Sequence, residues 1–167
     1  MTPEQFQSRI KELQEEFKEL FDKYAPRIAG QTAVRLFKKN FQNESFFGEK
    51  WQEVQRRQSW TRTHKYLKKH HPADTRRKVL SGRTGDLGRS IASKISKDGT
   101  VLIFTNPNAF SSKEPYGRVH NEGLRAGRGS GFTMPKRQFI GDHHELREEI
   151  TREINRKLTE ITNKLTN

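Results

Sequence analysis

Residues 81–141 read SGRTGDLGRSIASKISKDGTVLIFTNPNAFSSKEPYGRVHNEGLRAGRGSGFTMPKRQFIG. This stretch holds nearly all the strand signals of the chain and most of its glycines. Ser90–Ile95 and Val101–Thr105 are short runs rich in β-branched and apolar residues, with Lys97-Asp98-Gly99-Thr100 between them. Asp-Gly between two such runs predicts a hairpin closed by a type I′ turn, which needs positive φ at both central residues. Side chains alternate along a strand, so Ile91, Ser93 and Ile95 share one face, and Val101 and Ile103 oppose Leu102 and Phe104. The second strand is then apolar on both faces, which predicts a central position, and the first is half-exposed.

Downstream of the hairpin, Asn106-Pro107-Asn108 marks a loop. Pro115–Glu122 predicts a short helix carrying Tyr116, Val119 and His120, with Gly123 ending it. Leu124–Gly131 reads as a flexible basic loop, and Phe132–Ile140 as a strand or extended crossing near an edge because of Pro135. Upstream, Thr2-Pro3-Glu4-Gln5 predicts a capped helix start with proline at its first position. Phe6, Ile10, Leu13, Phe17, Leu20, Phe21 and Tyr24 recur every three or four residues, and Glu15–Lys18 and Glu19–Lys23 stand at pairing distance. Pro26 interrupts or kinks this helix. The period continues through Ile28, Ala29, Ala33, Leu36, Phe37 and Phe41, with Gly30 a weak point. A second stripe, Leu146, Ile150, Ile154, Leu158, Ile161 and Leu165, predicts a C-terminal helix starting near Gly141-Asp142. Both stripes are expected to pack in a core or against a partner helix.

The 167 residues suit one domain, divided into an N-terminal helical region (1–41), a basic and aromatic connecting segment (42–80), the sheet region (81–141) and a C-terminal helix (142–167). Only 30% of residues are hydrophobic and mean hydropathy is −1.04, so the core is modest and partner surfaces are expected to complete its burial. The absence of cysteine excludes disulfides, thiolate catalysis and cysteine zinc sites. No apolar run approaches the roughly 20 residues that cross a bilayer, and the acidic, helical start lacks a signal-peptide core. No membrane contact and a cytoplasmic product are expected.

Net charge is +13 and unevenly placed: Lys50–Arg89 carries twelve lysines and arginines against Glu53, Asp74 and Asp86. Such an excess permits contact with nucleic acid or an acidic protein surface. With Trp51, Trp60 and Tyr66 interleaved, the segment reads first as a solvated connection that orders against a partner. Its second reading is a nucleic-acid surface on which aromatics stack between cations.

Catalytic signals are lacking. Gly82-x-x-Gly85-x-x-Gly88 has neither the order of a Walker loop nor that of a dinucleotide loop, so no cofactor is expected. The adjacent pairs His70-His71 and His143-His144 are expected to point apart, and no metal-ligand spacing of the known kinds occurs. His120-Asn121 matches a fragment of a metal-nuclease signature without a third ligand. No nucleophile elbow is present. No catalytic, cofactor or metal residue is assigned.

The order of several short motifs is more telling than any one of them. Thr84-Gly85-x-Leu87-x-x-Ser90 precedes the hairpin and Asn106; then come Tyr116-x-x-x-His120-x-x-Gly123 and Met134-Pro135-x-Arg137-x-Phe139-Ile140-Gly141, and finally the amphipathic helix. This arrangement resembles the phage virion morphogenesis family, the Mu G-like and tail-completion group, from about Leu80 to the C-terminus and more loosely before it. Gly117, where the family tends to have alanine, and the long Gly/Arg loop between Gly123 and Met134 depart from the pattern. The resemblance implies an α+β fold, with a small curved antiparallel sheet around the hairpin at about 90–105, packed by long terminal helices. It implies a structural, non-enzymatic tail-completion or head–tail joining (neck) component of the virion, assembled in the host cytoplasm. The implied partners are copies of itself in a ring, the connector or adaptor and tail proteins, and double-stranded DNA in passage. In that setting Gly85 and Gly123 serve turns, the segment from Met134 to Phe139 fixes the crossing into the last helix, and Arg137 pairs with a carboxylate there or across subunits. The alternative is a basic nucleic-acid-binding protein, and after it a nuclease dependent on His120.

Overall fold

The computed structural model describes residues 2–110, 116–127 and 129–166, with side chains to Asn163. Pro115, Arg128 and the Leu165 side chain, which belong to the expected short helix, basic loop and C-terminal stripe, lie outside the described residues. The elements are α1 (Pro3–Glu19), α2 (Ala25–Asn43), β1 (Ser45–Phe46), β2 (Glu49–Lys50), α3 (Arg62–His70), α4 (Asp86–Arg89), β3 (Ile91–Ile95), β4 (Val101–Thr105), α5 (Gly117–Glu122), β5 (Arg125–Ala126), β6 (Phe132–Thr133) and α6 (His144–Thr166). The α+β class holds. The strands form three two-stranded ribbons, β1–β2, β3–β4 and β5–β6, rather than one gathered sheet. The chain divides into two compact units, one of Met1–Ala33, Ser93–Ile103 and His143–Asn167, the other of Val34–Ala92 and Phe104–Asp142.

In the first unit α1 starts as its sequence dictates. The Thr2 hydroxyl accepts the Gln5 N–H at 3.3 Å, the Gln5 side chain accepts the Thr2 N–H at 2.9 Å, and Pro3 occupies the first turn, where no N–H is needed. Lys23 and Glu19 pair at 2.7 Å as their spacing predicts. Pro26 does not end the helix. It has no N–H to give Asp22, and the ladder widens just before it into a π-turn over Leu20–Tyr24, where Ala25 N–H reaches Leu20 O. Gly30 is no weak point either. A Cβ there would stand 3.0 Å from Ser93 Oγ and 3.4 Å from Val101, so the glycine lets the helix approach the hairpin closely.

The apolar stripes of this unit are only partly covered. Leu20 and Ile161 are buried, and Lys157 lies 5.5 Å above the Tyr24 ring. Yet α1 has no buried residue; Phe6 is 57% and Phe21 61% exposed, and Leu146, Ile150, Ile154 and Leu158 of α6 are half-buried. The N-terminal stripe is therefore buried at Leu20, half-buried at Leu13 and Phe17, and open at Phe6, Ile10 and Phe21.

The hairpin forms where expected, but its turn differs. Gly99 takes φ +83°, and Asp98 is not in the left-handed region. Gly99 N–H bonds Ser96 O at 3.0 Å and Ser96 N–H bonds Thr100 O at 2.9 Å, giving a five-residue loop with one left-handed glycine. The Asp98 carboxylate accepts the Thr100 N–H and hydroxyl, and this local bonding competes with the primed turn. The type I′ geometry appears instead at Phe47-Gly48, φ +44° and +94°, closing β1–β2. Phe47 tolerates that strain because its N–H bonds the Asn40 side chain and its ring meets Phe37 and Phe46 edge-on. Nor is β4 central. Among the described residues it pairs only with β3, and Leu102 and Phe104 are exposed on its outer face.

The core of the second unit is Phe37, Phe46, Trp51, Val79, Leu87, Ile91 and Phe139. Phe41 meets Trp51 and Phe139 at ring distances of 5.4 and 5.1 Å. Of the expected strand 132–140 only Phe132–Thr133 is regular; it pairs with Arg125–Ala126, and Pro135 lies in the irregular run that follows.

Candidate functional site

The residues of the motif set all lie in the second unit, and those of the short helix and its end meet the crossing segment 134–141. Gly85, at φ +72°, caps α4 in a conformation that other residues adopt at a cost. Thr84 hydrogen-bonds the Asp86 side chain; with Arg89 it holds that carboxyl below the usual range, against the opposing effect of burial. Leu87 is buried, and the Ser90 hydroxyl donates to its carbonyl at 2.7 Å. The Ser90 carbonyl in turn accepts the Asn106 N–H at 2.7 Å. Ser90 is therefore a buried hydroxyl with a local partner, and it ties the end of α4 to the loop after the hairpin.

Helix α5 supplies the other wall. Tyr116 at its start meets Phe110 and His120 edge-on, at 5.0 and 5.8 Å. Gly123, at φ +73°, ends it as expected, and a Cβ there would lie 2.9 Å from Lys136 Cβ. The crossing strand thus runs directly over this glycine. The His120 carbonyl accepts the Arg137 N–H at 2.8 Å, and Met134 N–H bonds Leu124 O at 3.0 Å. Pro135 is half-buried between these two anchors. Gly141 closes the segment where any side chain would overlap the Gln138 amide. Phe139 is 1% exposed, and its carbonyl accepts from Asn40 Nδ2 at 3.4 Å.

Asn121 enters the sequence reading only beside His120 in a nuclease-like fragment, yet its Oδ1 accepts both the Phe139 and the Ile140 N–H at 2.9 Å. The available signal was an asparagine just before a helix-ending glycine, a residue that favours local backbone bonding over helix interiors. Gly117, the departure from the family pattern, also has a cause. A Cβ there would stand 3.0 Å from Thr105 Oγ1 and 3.2 Å from Leu87 Cδ1. Gly117→Ala is expected to destabilise by about 1–2 kcal/mol. An unchanged melting temperature would contradict that crowding.

Arg137 is 5% exposed, and its Nε donates to the Gln52 carbonyl at 2.9 Å. Among the described residues it forms no ion pair with a carboxylate of its own chain. Burial pulls its pKa below the ordinary arginine value, and Glu53 partly offsets this. Burial, then Arg137, also lowers the pKa of His120, whose Nδ1 is buried without a partner. The one group of potential metal ligands among the described residues is elsewhere, at His143, His144 and Glu145, with ligand atoms within 4.8 Å. The two rings stack at 4.3 Å instead of pointing apart, because His143 precedes the helix and accepts the Glu145 N–H. This arrangement caps α6.

The connecting segment is pinned to its own unit. Trp51 Nε1 donates to Gln138 O at 2.7 Å, and the Glu44 carboxylate accepts the Val79 N–H and pairs with Arg57. Asp74 is bracketed by Arg83 at 2.9 Å and Arg77 at 3.2 Å. The Arg83 hydrogen bond leads in holding the Asp74 carboxyl below its ordinary range, although burial opposes it. For Glu44 burial is the largest influence and raises the pKa, but the Val79 N–H and Arg57 outweigh it and the net shift is downward. Depressed carboxyls stabilise the fold at neutral pH and lose that contribution as pH falls through their folded values. Denaturant midpoints measured across acid pH are expected to fall less steeply for Asp74→Asn than for the parent. Parallel curves would rule out this linkage.

No helix among the described residues is long and apolar enough to cross a membrane. A family model described as the phage virion morphogenesis family matches residues 3–159. No curated protein and no solved structure matches the chain.

Proposed function

The chain belongs to the phage virion morphogenesis family, and we propose that it is a tail-completion or head–tail joining (neck) component acting through contacts with copies of itself and with connector and tail proteins. A structural role in phage morphogenesis goes with the family. The finer reading rests on the uncovered apolar face of the first unit. Phe6, Ile10 and Phe21 repeat at helical spacing, yet they stand 57%, 39% and 61% exposed. A regular apolar stripe left open on a chain this polar supports a docking surface, because scattered surface hydrophobes do not keep a helical period. The motif residues Thr84, Gly85, Leu87, Ser90, Tyr116, His120, Gly123, Met134, Pro135, Arg137, Phe139 and Gly141 serve in this reading to hold the second unit in shape. No reaction is needed for such work. The test is a phage carrying an inactivated copy of this gene. Filled heads and separate tails that fail to join are expected in the lysate. Joined, infectious particles at normal yield would refute the role.

A further inference from the structure

We propose that the outward face of α3, together with Trp60 beside it, is a contact strip for the phosphate backbone of double-stranded DNA. Thr61 caps this helix by accepting the His64 N–H at 3.1 Å, and His64 Nδ1 lies 2.8 Å from the Arg56 carbonyl. Thr61, His64 and Leu67 are the half-buried positions and mark the inner face. Arg62, Lys65, Tyr66 and Lys69 are spaced by three, four and seven residues, so they line the opposite face, with Lys68 at its flank.

What sets this helix apart is the state of its cations. Along α6, Arg152 pairs with Glu149, Arg156 with Glu153 and Glu160, and Lys157 with Glu160. On α3 there is nothing to pair with. No acid occurs between Arg62 and Ala73, and Asp74 is taken by Arg77 and Arg83. Arg62, Lys65, Lys68 and Lys69 are all exposed and lack any ion-pair or hydrogen-bond partner among the described residues. Like charges on adjacent turns repel, so this arrangement costs the isolated chain stability and gains only when an anion neutralises it. Tyr66, on this face, is 61% exposed and steadied by the His70 ring at 4.6 Å, and Trp60, just before the helix, is 73% exposed. These rings give apolar contact beside the charges.

Duplex DNA fits better than the other anionic partners. A convex helix offers no groove in which unpaired bases can be splayed, as single-strand binding needs. Its cations stand at fixed, close intervals, which suits the dense, regular phosphates of a duplex. A second copy of this chain is a poor match, because each copy brings a further net charge of +13. The acids on α1, Glu12, Glu15, Glu16 and Glu19, are interleaved with Lys11 and Lys18, and Glu19 is already paired with Lys23.

Fluorescence anisotropy of the purified full chain with a labelled random-sequence duplex of about 20 base pairs tests this. With about four phosphates neutralised per chain, the log–log salt slope is expected near −3 to −4, about a hundredfold loss of affinity between 50 and 200 mM salt. Replacing the four cations together (Arg62→Gln, Lys65→Gln, Lys68→Gln, Lys69→Gln) is expected to abolish binding with the circular dichroism spectrum unchanged. Lys94→Gln with Lys97→Gln, on the hairpin, is expected to leave binding intact. Three results would each overturn the proposal: duplex binding that survives the fourfold change, preference for a single strand of equal length, or loss of self-association in place of loss of DNA binding. The oligomeric state, measured on the same samples, separates failure of the strip from failure of the assembly reading.

Discussion

Replacement of Phe139 by alanine is expected to lower stability by about 3–5 kcal/mol, the largest single effect in the second unit. The ring is 1% exposed and lies against Phe41 at 5.1 Å, and Phe41 in turn meets Trp51. Truncation removes the apolar burial and leaves a cavity bordered by aromatic rings that cannot collapse without moving α2. The loss is serious for a chain with only 30% hydrophobic residues, since ordinary domains are stable by only about 5–15 kcal/mol. A denaturant midpoint close to the parent value would mean that the segment 134–141 is not the keystone described here. Phe139→Leu is expected to retain most of the stability, because it refills much of the space.

Asn121→Ala is expected to cost about 2–4 kcal/mol, since it strips the acceptor from two backbone N–H groups at once. Both Phe139 and Ile140 donate to the same Oδ1 at 2.9 Å, and the helix that carries Asn121 is only six residues long. Asn121→Asp keeps an acceptor in place and is expected to be milder than alanine. If the two variants lose equal stability, the hydrogen bonds are not what matters at this position.

Much of the fold was legible because local rules and tertiary packing agree. Thr2 through Gln5 make a capping box in any context, Gly123 ends its helix, and the runs flanking Asp98-Gly99 pair. The failures have particular causes. Asp-Gly predicts a primed turn, but the bonds from the Asp98 carboxylate to Thr100 select another loop. The primed turn falls on Phe47-Gly48, where three-dimensional contacts to Asn40 and Phe37 support a residue no propensity would place there. Alternation in Val101–Thr105 suggested burial on both faces, but periodicity cannot say whether a covering layer exists, and Leu102 and Phe104 are left open. The motif residues were legible as an ordered set. That the short helix grips the crossing segment through Asn121 and the His120 carbonyl was not, because such bonds across some eighteen residues leave no period in the sequence.

In the proposed role the chain works by docking, through an apolar face left uncovered in the single chain. The mass of the purified protein in solution at micromolar concentration decides this, measured alone and with phage tail and connector proteins added. A closed multiple of the 19.6 kDa chain is expected, reduced to single chains by Phe6→Asp with Ile10→Asp at unchanged melting temperature. A species that remains a single chain under every condition, or an assembly indifferent to those two substitutions, would contradict it.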